Sequence, residues 1–213
     1  MNSLPLSDDE RPTRTRERRQ PVGLERHVVR LAAHNAAWAE RYREERARLA
    51  AALGGATEVS GAALDIQHVG STAVPGLHAK PILDIAIAVE SFEAAQATVA
   101  PLEALGYIYR GENGIPRRHY FVLRTPDGET TLVHVHMLEL QSAEWENHLL
   151  VRDYLRAHPD AVAAYQALKV RLVEQYRHDR LAYTEGKAAF IGQILERAHL
   201  ERPHCPVPKS VLH

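Results

Sequence analysis

Short blocks of apolar residues, several of them alternating with polar ones, run through the middle of the chain and predict β-strands. The blocks lie at about 64–69, 82–89, 107–110, 119–125 and 130–137, with a further short one at 28–31. The sequence Pro126-Asp127-Gly128-Glu129 separates the last two of the central series and is typical of a hairpin turn. We therefore expect the centre of the chain to form a sheet.

Apolar residues at helical spacing precede and interrupt these strands. The first helical pattern is carried by Trp38, Tyr42, Leu49 and Leu53. Asn35 is in position to act as its N-cap, and Gly54-Gly55 is a typical point for its end. A second pattern at about 92–105 contains Pro101, which predicts a kinked helix or a helix split in two.

Three further helical patterns complete the fold prediction. They lie near 143–157, 161–177 and 187–202, and Ser142 and Asp160 are the candidate N-caps of the first two. The fold class predicted is α+β: a mixed or mostly antiparallel sheet flanked by helices, with a C-terminal helical segment from about residue 142.

Composition divides the chain into one domain and two polar ends. Residues 1–22 mix Arg with Asp and Glu and contain few apolar residues, so we expect a disordered arm. The Pro-rich residues 203–213 are expected to be a tail, which leaves residues 23–202 as a single domain. A nucleic-acid contact by the arm is the alternative, but short arms of mixed charge are usually solvated.

Charge, hydropathy and cysteine content narrow the class of protein. The 213 residues carry a formal net charge of -1, which gives no general attraction to nucleic acid or to an anionic membrane. No run of roughly 18 apolar residues and no signal-peptide pattern occurs, so we expect no membrane partner. The single cysteine, Cys205, cannot form a disulfide within the chain, which fits a cytoplasmic location.

The junction between the first two central strands carries the residues most typical of a phosphate site. Gly70 permits a sharp turn or a close approach to a ligand, and Ser71 and Thr72 add hydroxyl groups beside amides that can face an anion. Asp84 stands alone in an apolar stretch, so we expect it at a strand end facing a metal ion or a cation. The alternative is a plain hairpin in which Ser71 caps the backbone and Asp84 pairs with Lys80.

Basic residues near this junction are candidate phosphate ligands. Lys80 lies in the loop between Ser71 and Asp84, close enough to reach a phosphate bound in the same site. Arg117 and Arg118 precede a strand and are candidates to neutralise a triphosphate. For all three the alternative is a solvated surface charge.

Two histidines offer a second set of ligands. Because alternate side chains of a strand share a face, His134 and His136 are expected on one side, opposite to the apolar residues between and beside them. With Asp84 on a neighbouring strand they would form a cluster of two imidazoles and one carboxylate, which favours a transition metal or Zn²⁺ over Mg²⁺. Alternatively they line a polar pocket, bind a substrate phosphate or face water.

Two long stretches of the chain resemble the GrpB family. The first begins at His68 with His-Val-Gly-Ser-Thr-x-Val-Pro-Gly-Leu and continues with Ala-Lys-Pro-Ile-x-Asp-Ile, and the second runs from Glu144 to Pro159. The match continues towards the C-terminus with Tyr165, Lys169, Tyr183, Lys187 and Phe190, and it covers roughly 28–198.

The resemblance implies a nucleotidyltransferase-like fold, since the GrpB family is grouped with that superfamily. It also implies a functional link to dephospho-CoA kinase, to which some members are fused. The superfamily pattern is Gly-Ser, a spacer, and two acidic residues separated by one residue on the next strand. Gly70, Ser71 and Asp84 match it, but Ala86 stands where the second acid is expected. Transfer with two metal ions needs several oxygen ligands, so the implied catalysis requires ligands from elsewhere in the chain.

These residues support three functional hypotheses. The first is a metal-dependent nucleotidyltransferase that transfers a nucleotidyl group from a nucleoside triphosphate to an unknown small-molecule or protein acceptor. The second is a non-catalytic nucleotide-sensing or partner module, and the third is a metal-dependent phosphohydrolase that uses His134 and His136.

The first hypothesis gives each candidate residue a role. Catalysis is assigned to Asp84, Ser71, His134 and His136. The divalent metal, Mg²⁺ or Mn²⁺ with Zn²⁺ as the alternative, is assigned to Asp84, His134 and His136. Nucleotide binding is assigned to Gly70, Ser71, Thr72, Lys80 and Arg118.

Overall fold

A mixed sheet lies at the centre of the computed structural model, which describes residues 22–25, 27–60 and 65–201. Its strands are β1 (Leu24–Glu25), β2 (Asp65–Val69), β3 (Leu83–Val89), β4 (Tyr107–Tyr109), β5 (Arg118–Arg124) and β6 (Thr130–Glu139). They are ordered β2-β3-β6-β5-β4, and the short β1 also pairs with β6. Among the described strands, β3 and β6 pair in parallel and the other pairs are antiparallel.

Helices flank the sheet and continue beyond it. They are α1 (Ala37–Ser60), α2 (Phe92–Ala95), α3 (Val99–Ala104), α4 (Ala143–Ala157), α5 (Pro159–Gln175), α6 (Arg180–Glu185) and α7 (Ala188–Glu201). The helices from α4 onwards form the C-terminal helical segment, so the α+β prediction is confirmed. Within the described part of the chain, no helix has both the length and the apolar character needed to cross a bilayer.

One face of the sheet packs against α1 and α3 and forms the main core. Ile85 and Ile87 on β3 and Val133 and Val135 on β6 point to this face and are fully buried. The helices contribute Trp38, Leu49, Leu53 and Leu102 to the same cluster. Because strand side chains alternate between faces, the intervening residues of β3 and β6 point to the opposite side.

The strand predicted at 28–31 is wrong, because those residues pair with no neighbouring strand. The backbone N–H of Val29 donates to the carbonyl of Arg177 over 2.8 Å. The Val29 side chain is buried with Leu172 and Tyr183 of the helical segment. The apolar run therefore serves packing against helices and not strand pairing.

Two predicted helix boundaries are also wrong. Helix α1 does not end at Gly54-Gly55 but continues to Ser60, since Gly54 does not adopt the left-handed conformation with which a glycine ends a helix. Asp160 is not the N-cap of α5, because His158 holds that position and Pro159 begins the helix. Proline is favoured at the first position of a helix, where its missing N–H is not needed.

Other boundaries follow the sequence. Ser142 caps α4, since its hydroxyl accepts a hydrogen bond from the backbone N–H of Trp145 over 3.3 Å. The helix predicted at 92–105 is split into α2 and α3 by the 3₁₀ turn Gln96–Thr98, because the Pro101 ring clashes with the carbonyl four residues earlier in a continuous helix. Helix α6 was not predicted.

The predicted arm and tail fall almost entirely outside the described residues. Val22, the last residue assigned to the arm, is described and is buried in the main core. The packed domain therefore includes residue 22.

Candidate functional site

A glycine at the end of β2 brings the backbone against the carboxylate of Asp84. Gly70 has φ 68° and ψ -170°, a combination that residues with a side chain rarely adopt. A Cβ atom at this position would lie 2.6 Å from Oδ2 of Asp84. Gly70 is therefore required both for the turn into the loop and for the close approach of that loop to Asp84.

Strand register places Asp84 and the two histidines side by side. Asp84 is the partner of His134 in the parallel β3–β6 ladder, and Ala86 is the partner of His136. The Tyr120 ring on β5 lies 5.6 Å from the His134 ring and 5.2 Å from the His136 ring, measured between centroids. These side chains share the face opposite to the main core, as the alternation of polar and apolar residues predicts.

Asp84 is an ionised carboxylate held by an imidazole. His134 donates from Nδ1 to Oδ1 of Asp84 over 3.1 Å. Burial by itself would raise the pKa of Asp84, but the two neighbouring histidines outweigh burial and hold this pKa well below its usual range. Burial lowers the pKa of His134, so His134 is neutral at pH 7. The arrangement fixes Asp84 in one orientation.

His136 is held by Arg118 and leaves one ring nitrogen without a partner. Arg118 donates from Nη1 to Nδ1 of His136 over 3.3 Å, and its guanidinium is anchored by the backbone carbonyls of Glu112 and Asn113. Nε2 of His136 is buried, makes no hydrogen bond and lies 3.6 Å from Oδ1 of Asp84. The predicted phosphate ligand Arg118 is thus used to orient an imidazole at the wall of the site.

Apolar packing occupies the position of the second superfamily acid. Ala86 follows Asp84 on the same face and is fully buried with Val69, Leu138 and Trp145. A carboxylate at this position would be packed against these apolar side chains, with Gln67 and His136 as its cross-strand neighbours. Any second oxygen ligand must therefore come from another element.

The donors present fit a divalent cation in part. Within the described residues, no group of three or more His, Cys, Asp or Glu side chains is already spaced to hold a metal ion. Asp84 offers a carboxylate oxygen to the cavity, whereas Nε2 of His136 carries the ring proton, because Nδ1 accepts from Arg118, and this N–H faces Oδ1 of Asp84 over 3.6 Å. A cation that brings waters or phosphate oxygens as its remaining ligands matches such a site.

A cavity of about 530 Å³ opens at this group of residues. We call it the cationic cavity, because its walls include Lys80, Arg118, Lys169, Arg180 and Lys187. The predicted site residues that line it are Gly70, Ser71, Thr72, Lys80, Asp84, Arg118, His134 and His136. The structure therefore brings all of them together, whereas Arg117 pairs with Glu139 over 2.7 Å and does not line the cavity.

Three lysines lie near one another at one end of the cavity: Lys80, Lys187 and Lys169. Lys80 lies 5.6 Å and Lys187 4.9 Å from the centre of the Tyr183 ring, on which both ammonium groups rest. Burial, followed by the charge of Lys187, lowers the pKa of Lys80 to about 8. Burial also lowers the pKa of Lys187. Amines that are crowded in this way favour a ligand that carries several negative charges.

Lys169 supports the Gly-Ser loop from behind. Its side chain is 1% exposed, and Nζ donates to Oγ of Ser71 over 3.3 Å and to the carbonyl of His78. Burial, with the nearby charges of Lys187 and Lys80, lowers the pKa of Lys169 to about 7. Lys169 therefore fixes the position of the Ser71 hydroxyl.

Thr72 is occupied within the loop. Its hydroxyl lies 3.0 Å from Nε2 of His68, and both residues are buried. Burial lowers the pKa of His68 to about 4, so this imidazole is neutral. Thr72 thus stabilises the junction between β2 and the loop.

A second cavity of about 430 Å³ adjoins the first. We call it the helical cavity, because α4 and α7 supply Asn147, Val151, Leu155, Ile191 and Leu195 to its walls. The residues that line both cavities are Gly70, Ser71, Asp84, Glu144, His148 and Lys187. The two spaces therefore meet at Asp84 and the Gly-Ser loop.

Several lining residues had no role assigned from the sequence. Glu144 and His148 lie in the second stretch of the GrpB resemblance, and Arg180 lies on the unpredicted α6. Whether a helical residue lines a site depends on how its helix packs against the rest of the protein, and the sequence alone does not show that packing. The available signal was their place in or beside a long family motif.

Comparison with known proteins identifies the relatives of the chain. The sequence model of the family described as GrpB protein matches residues 28–197. The UPF0157 protein YqkA of Bacillus subtilis is 39% identical over 170 residues, which is 80% of this chain and 47% of YqkA. The UPF0157 protein PA4798 of Pseudomonas aeruginosa is 46% identical over 136 residues, 63% of this chain and 55% of PA4798. The chain thus spans about half the length of these two relatives.

A solved structure agrees with the fold. The crystal structure of the conserved protein GrpB from Enterococcus faecalis superimposes with a TM-score of 0.69 at 31% identity, over 79% of this chain and 96% of that chain. The Cid1 poly(U) polymerase also aligns, with a TM-score of 0.41 at 17% identity over 68% of this chain and 43% of that one. A likeness as remote as the second says nothing about activity.

A further relative is named as a kinase. A dephospho-CoA kinase of Mycolicibacterium paratuberculosis is 31% identical over 161 residues, which is 64% of this chain and 39% of the kinase.

Proposed function

The chain belongs to the GrpB family, and from this premise we propose that it binds a nucleoside triphosphate with a divalent cation and transfers the nucleotidyl group to an acceptor hydroxyl. The observation that carries the proposal is the cationic cavity. Lys80, Arg180 and Lys187 line it together with the Gly-Ser loop, and such a concentration of positive charge attracts a polyphosphate.

Each residue of the cavity has a task in this proposal. Lys80 and Lys187 neutralise the outer phosphates, and their lowered pKa values rise again when the polyanion binds. Asp84 holds the cation, while His134 and the Nε2–H of His136 keep its carboxylate in orientation. When bound, the cation supplies positive charge that polarises the reacting phosphoryl group.

The transfer step balances without a further reactant. The acceptor oxygen forms a bond to the α-phosphorus while the bond from that phosphorus to the bridging oxygen of the β-phosphate breaks, and pyrophosphate leaves. The acceptor proton passes to a carboxylate at the cavity wall. We assign this role to Glu144, because Asp84 has a low pKa and is engaged with His134.

Binding and transfer are tested separately. Isothermal titration with ATP and Mg²⁺ should show saturable binding, and incubation with α-labelled ATP should move label to an acceptor present in a cell extract. Asp84→Asn should abolish the transfer and weaken the Mg²⁺-dependent part of binding. The matched control is Asp160→Asn, which changes an exposed carboxylate on α5 in the same way. If Asp84→Asn binds and transfers like wild type, the proposed role of Asp84 is wrong.

A non-catalytic nucleotide-sensing module is the second candidate, and the packing of Ala86 favours it. Such a module keeps the phosphate-binding loop and the cations but lacks the second acid. It predicts nucleotide binding without transfer of α-label in any extract. Retained binding together with complete absence of transfer would favour this candidate over the enzyme.

The phosphohydrolase with His134 and His136 stays a third possibility with its own test. It predicts stoichiometric Zn²⁺ or Mn²⁺ in the purified protein and its loss in the double variant His134→Ala, His136→Ala. The engagement of His134 with Asp84 speaks against it.

A functional link to dephospho-CoA kinase and a cytoplasmic location complete the proposal. The kinase relative supports the link, because it shares sequence with 64% of this chain. Co-purification of the chain with that kinase from cytoplasmic extract is the measurement that checks both.

A further inference from the structure

We infer that the helical cavity is the acceptor site, and that it takes an uncharged small molecule with an apolar body and a hydroxyl group. The inference rests on the proposed nucleotidyl transfer. It adds the class of the acceptor and the surface that selects it.

The contact between the two cavities places this site at the reacting atoms. Transfer requires an acceptor that approaches the α-phosphorus from the side opposite to the leaving group. Gly70, Ser71 and Asp84 line both cavities, so ligands in the two spaces meet at the same point. The cationic cavity is suited to the phosphates, which leaves the helical cavity for the acceptor. Its volume of about 430 Å³ suits a small organic molecule.

The far wall of the helical cavity is apolar. Val151 and Leu155 of α4 line it together with Ile191 and Leu195 of α7, with which they form one apolar cluster, and Asn147 adds one amide. An apolar body placed among these side chains gains transfer free energy that a sugar or another phosphate would not gain. The polar edge at Glu144 and Asp84 is where the acceptor hydroxyl must point.

The charges that remain at the reacting edge of this cavity select against an anionic acceptor, because Lys187, which also lines it, is assigned to the outer phosphates of the nucleotide. Arg152 lines it, but Nε and Nη2 donate to Asp153 over 2.7 and 2.9 Å, and Nη1 donates to Gln67 over 2.8 Å. The guanidinium is therefore already engaged within the protein. The carboxylates of Glu144 and Asp84 repel an anion at the reacting edge. An uncharged acceptor is not repelled by these carboxylates and needs no cation to pair with it.

The probe that tests this inference is 2-naphthol, with 2-naphthoate as its anionic counterpart of the same ring system. Binding is measured by fluorescence titration at pH 7, and MgATP binding is measured on the same samples. Wild type should bind 2-naphthol saturably and at least about tenfold more tightly than 2-naphthoate. Leu195→Asp should weaken 2-naphthol at least about tenfold and leave MgATP binding within about twofold.

Controls separate the cavity from the helix that carries it. Leu200→Asp makes the same change on α7 at a residue that is 85% exposed and outside the cavity, and it should bind 2-naphthol like wild type. Val151→Phe fills the cavity without adding charge and should also weaken 2-naphthol. It decides the question if Leu195→Asp fails to fold, as judged by thermal unfolding.

Three outcomes would overturn the inference. One is equal binding of 2-naphthol by wild type, Leu195→Asp and Val151→Phe. Another is equal affinity for 2-naphthol and 2-naphthoate. The third is a loss of MgATP affinity that parallels the loss of 2-naphthol, which would assign the helical cavity to the nucleobase.

Failure of the proposed function gives a different pattern. Wild type would then not bind MgATP at all, while 2-naphthol binding would still follow the variants of the helical cavity. In that case nucleotidyl transfer is wrong and the ligand class assigned to the helical cavity stands.

Discussion

The two faces of the sheet are built from the same strands but have opposite properties. The face that includes Ile85, Ile87, Val133 and Val135 is apolar at its centre and covered by helices, and its buried polar side chains, His68 and His119, lie on the flanking strands. The face that includes Asp84 carries a carboxylate 31% exposed to the cavity, with two imidazoles beside it. The main core therefore lies on one face, and the other face combines a smaller apolar cluster with polar groups that are only partly satisfied.

The polar face is itself divided within two residues of β3. Asp84 opens to the cavities, whereas Ala86 is sealed beneath Trp145. The division follows the helices that cover it, since α4 lies over the Ala86 end and the Gly-Ser loop over the Asp84 end. Single substitutions test the contrast between the two faces and the contrast between the Asp84 and Ala86 ends of the polar face. Each is measured as a change in the free energy of unfolding.

The largest effect is expected for Ala86→Asp, which would restore the second acid of the superfamily pattern. A carboxylate buried against Val69, Leu138 and Trp145, on the same face as the ionised Asp84, should lower the free energy of unfolding by roughly 3–5 kcal/mol even with His136 as its cross-strand neighbour. Chemical denaturation measures the loss, and Ala164→Asp on the exposed side of α5 is the control. An Ala86→Asp protein as stable as wild type would mean that the two ends of the polar face do not differ.

The next effect contrasts the two faces directly. Ile87→Ala removes a fully buried side chain from the main core and should cost roughly 2–5 kcal/mol. His134→Ala removes a mostly buried side chain and its hydrogen bond to the ionised Asp84 and should cost about 1.5 kcal/mol, the lower end for a bond to a charged group. Urea titration of both variants gives the comparison. Equal losses would contradict this contrast between the two faces.

A smaller effect is expected in the Gly-Ser loop, which follows β2 and leads towards β3. Gly70→Ala forces a side chain into a glycine conformation and against Asp84, which should cost about 1–3 kcal/mol and weaken MgATP binding. Gly76→Ala is the control, since Gly76 also has a positive φ but a Cβ there would meet nothing within 4 Å. Equivalent MgATP binding by the two variants would show that the approach to Asp84 is not needed.

A last effect differs in kind from the others, because it is a dependence of stability on pH that arises at Lys169. Its pKa is about 7 in the folded chain and higher when unfolded, so the unfolded state binds more protons above pH 7 and stability rises with pH from there to about 10. The slope from this residue is at most about 1.4 kcal/mol per pH unit. Thermal or urea unfolding of Lys169→Met should lack this contribution.

The control for this prediction is Arg171→Met, an exposed cation on the same helix that stays charged throughout the pH range. Its stability should follow the wild-type dependence on pH. Parallel curves for wild type and Lys169→Met would contradict the lowered pKa of Lys169.

The sequence predicts what is local and misses what depends on docking. The alternation of β6 was enough to place His134 and His136 together, and the Gly-Ser junction was enough to place Asp84 near the loop. The role of Lys169 was not predictable in the same way, because its helix reaches Ser71 from 98 positions further along the chain. Gly54-Gly55 led to a wrong prediction of the end of α1, because a glycine ends a helix only when it adopts the left-handed conformation, and that depends on the packing of the residues after it.

The parallel pairing of β3 with β6 also has a consequence for how the chain folds. His134 lies 50 positions after Asp84, and the segment between them, which contains α2, α3, β4 and β5, must be closed for the two strands to lie side by side. Closing so long a segment is entropically costly and slow compared with local hairpin formation. We therefore expect the carboxylate and its imidazoles to come together late in folding, so that a partly folded chain has its hairpin but no ligand-binding centre.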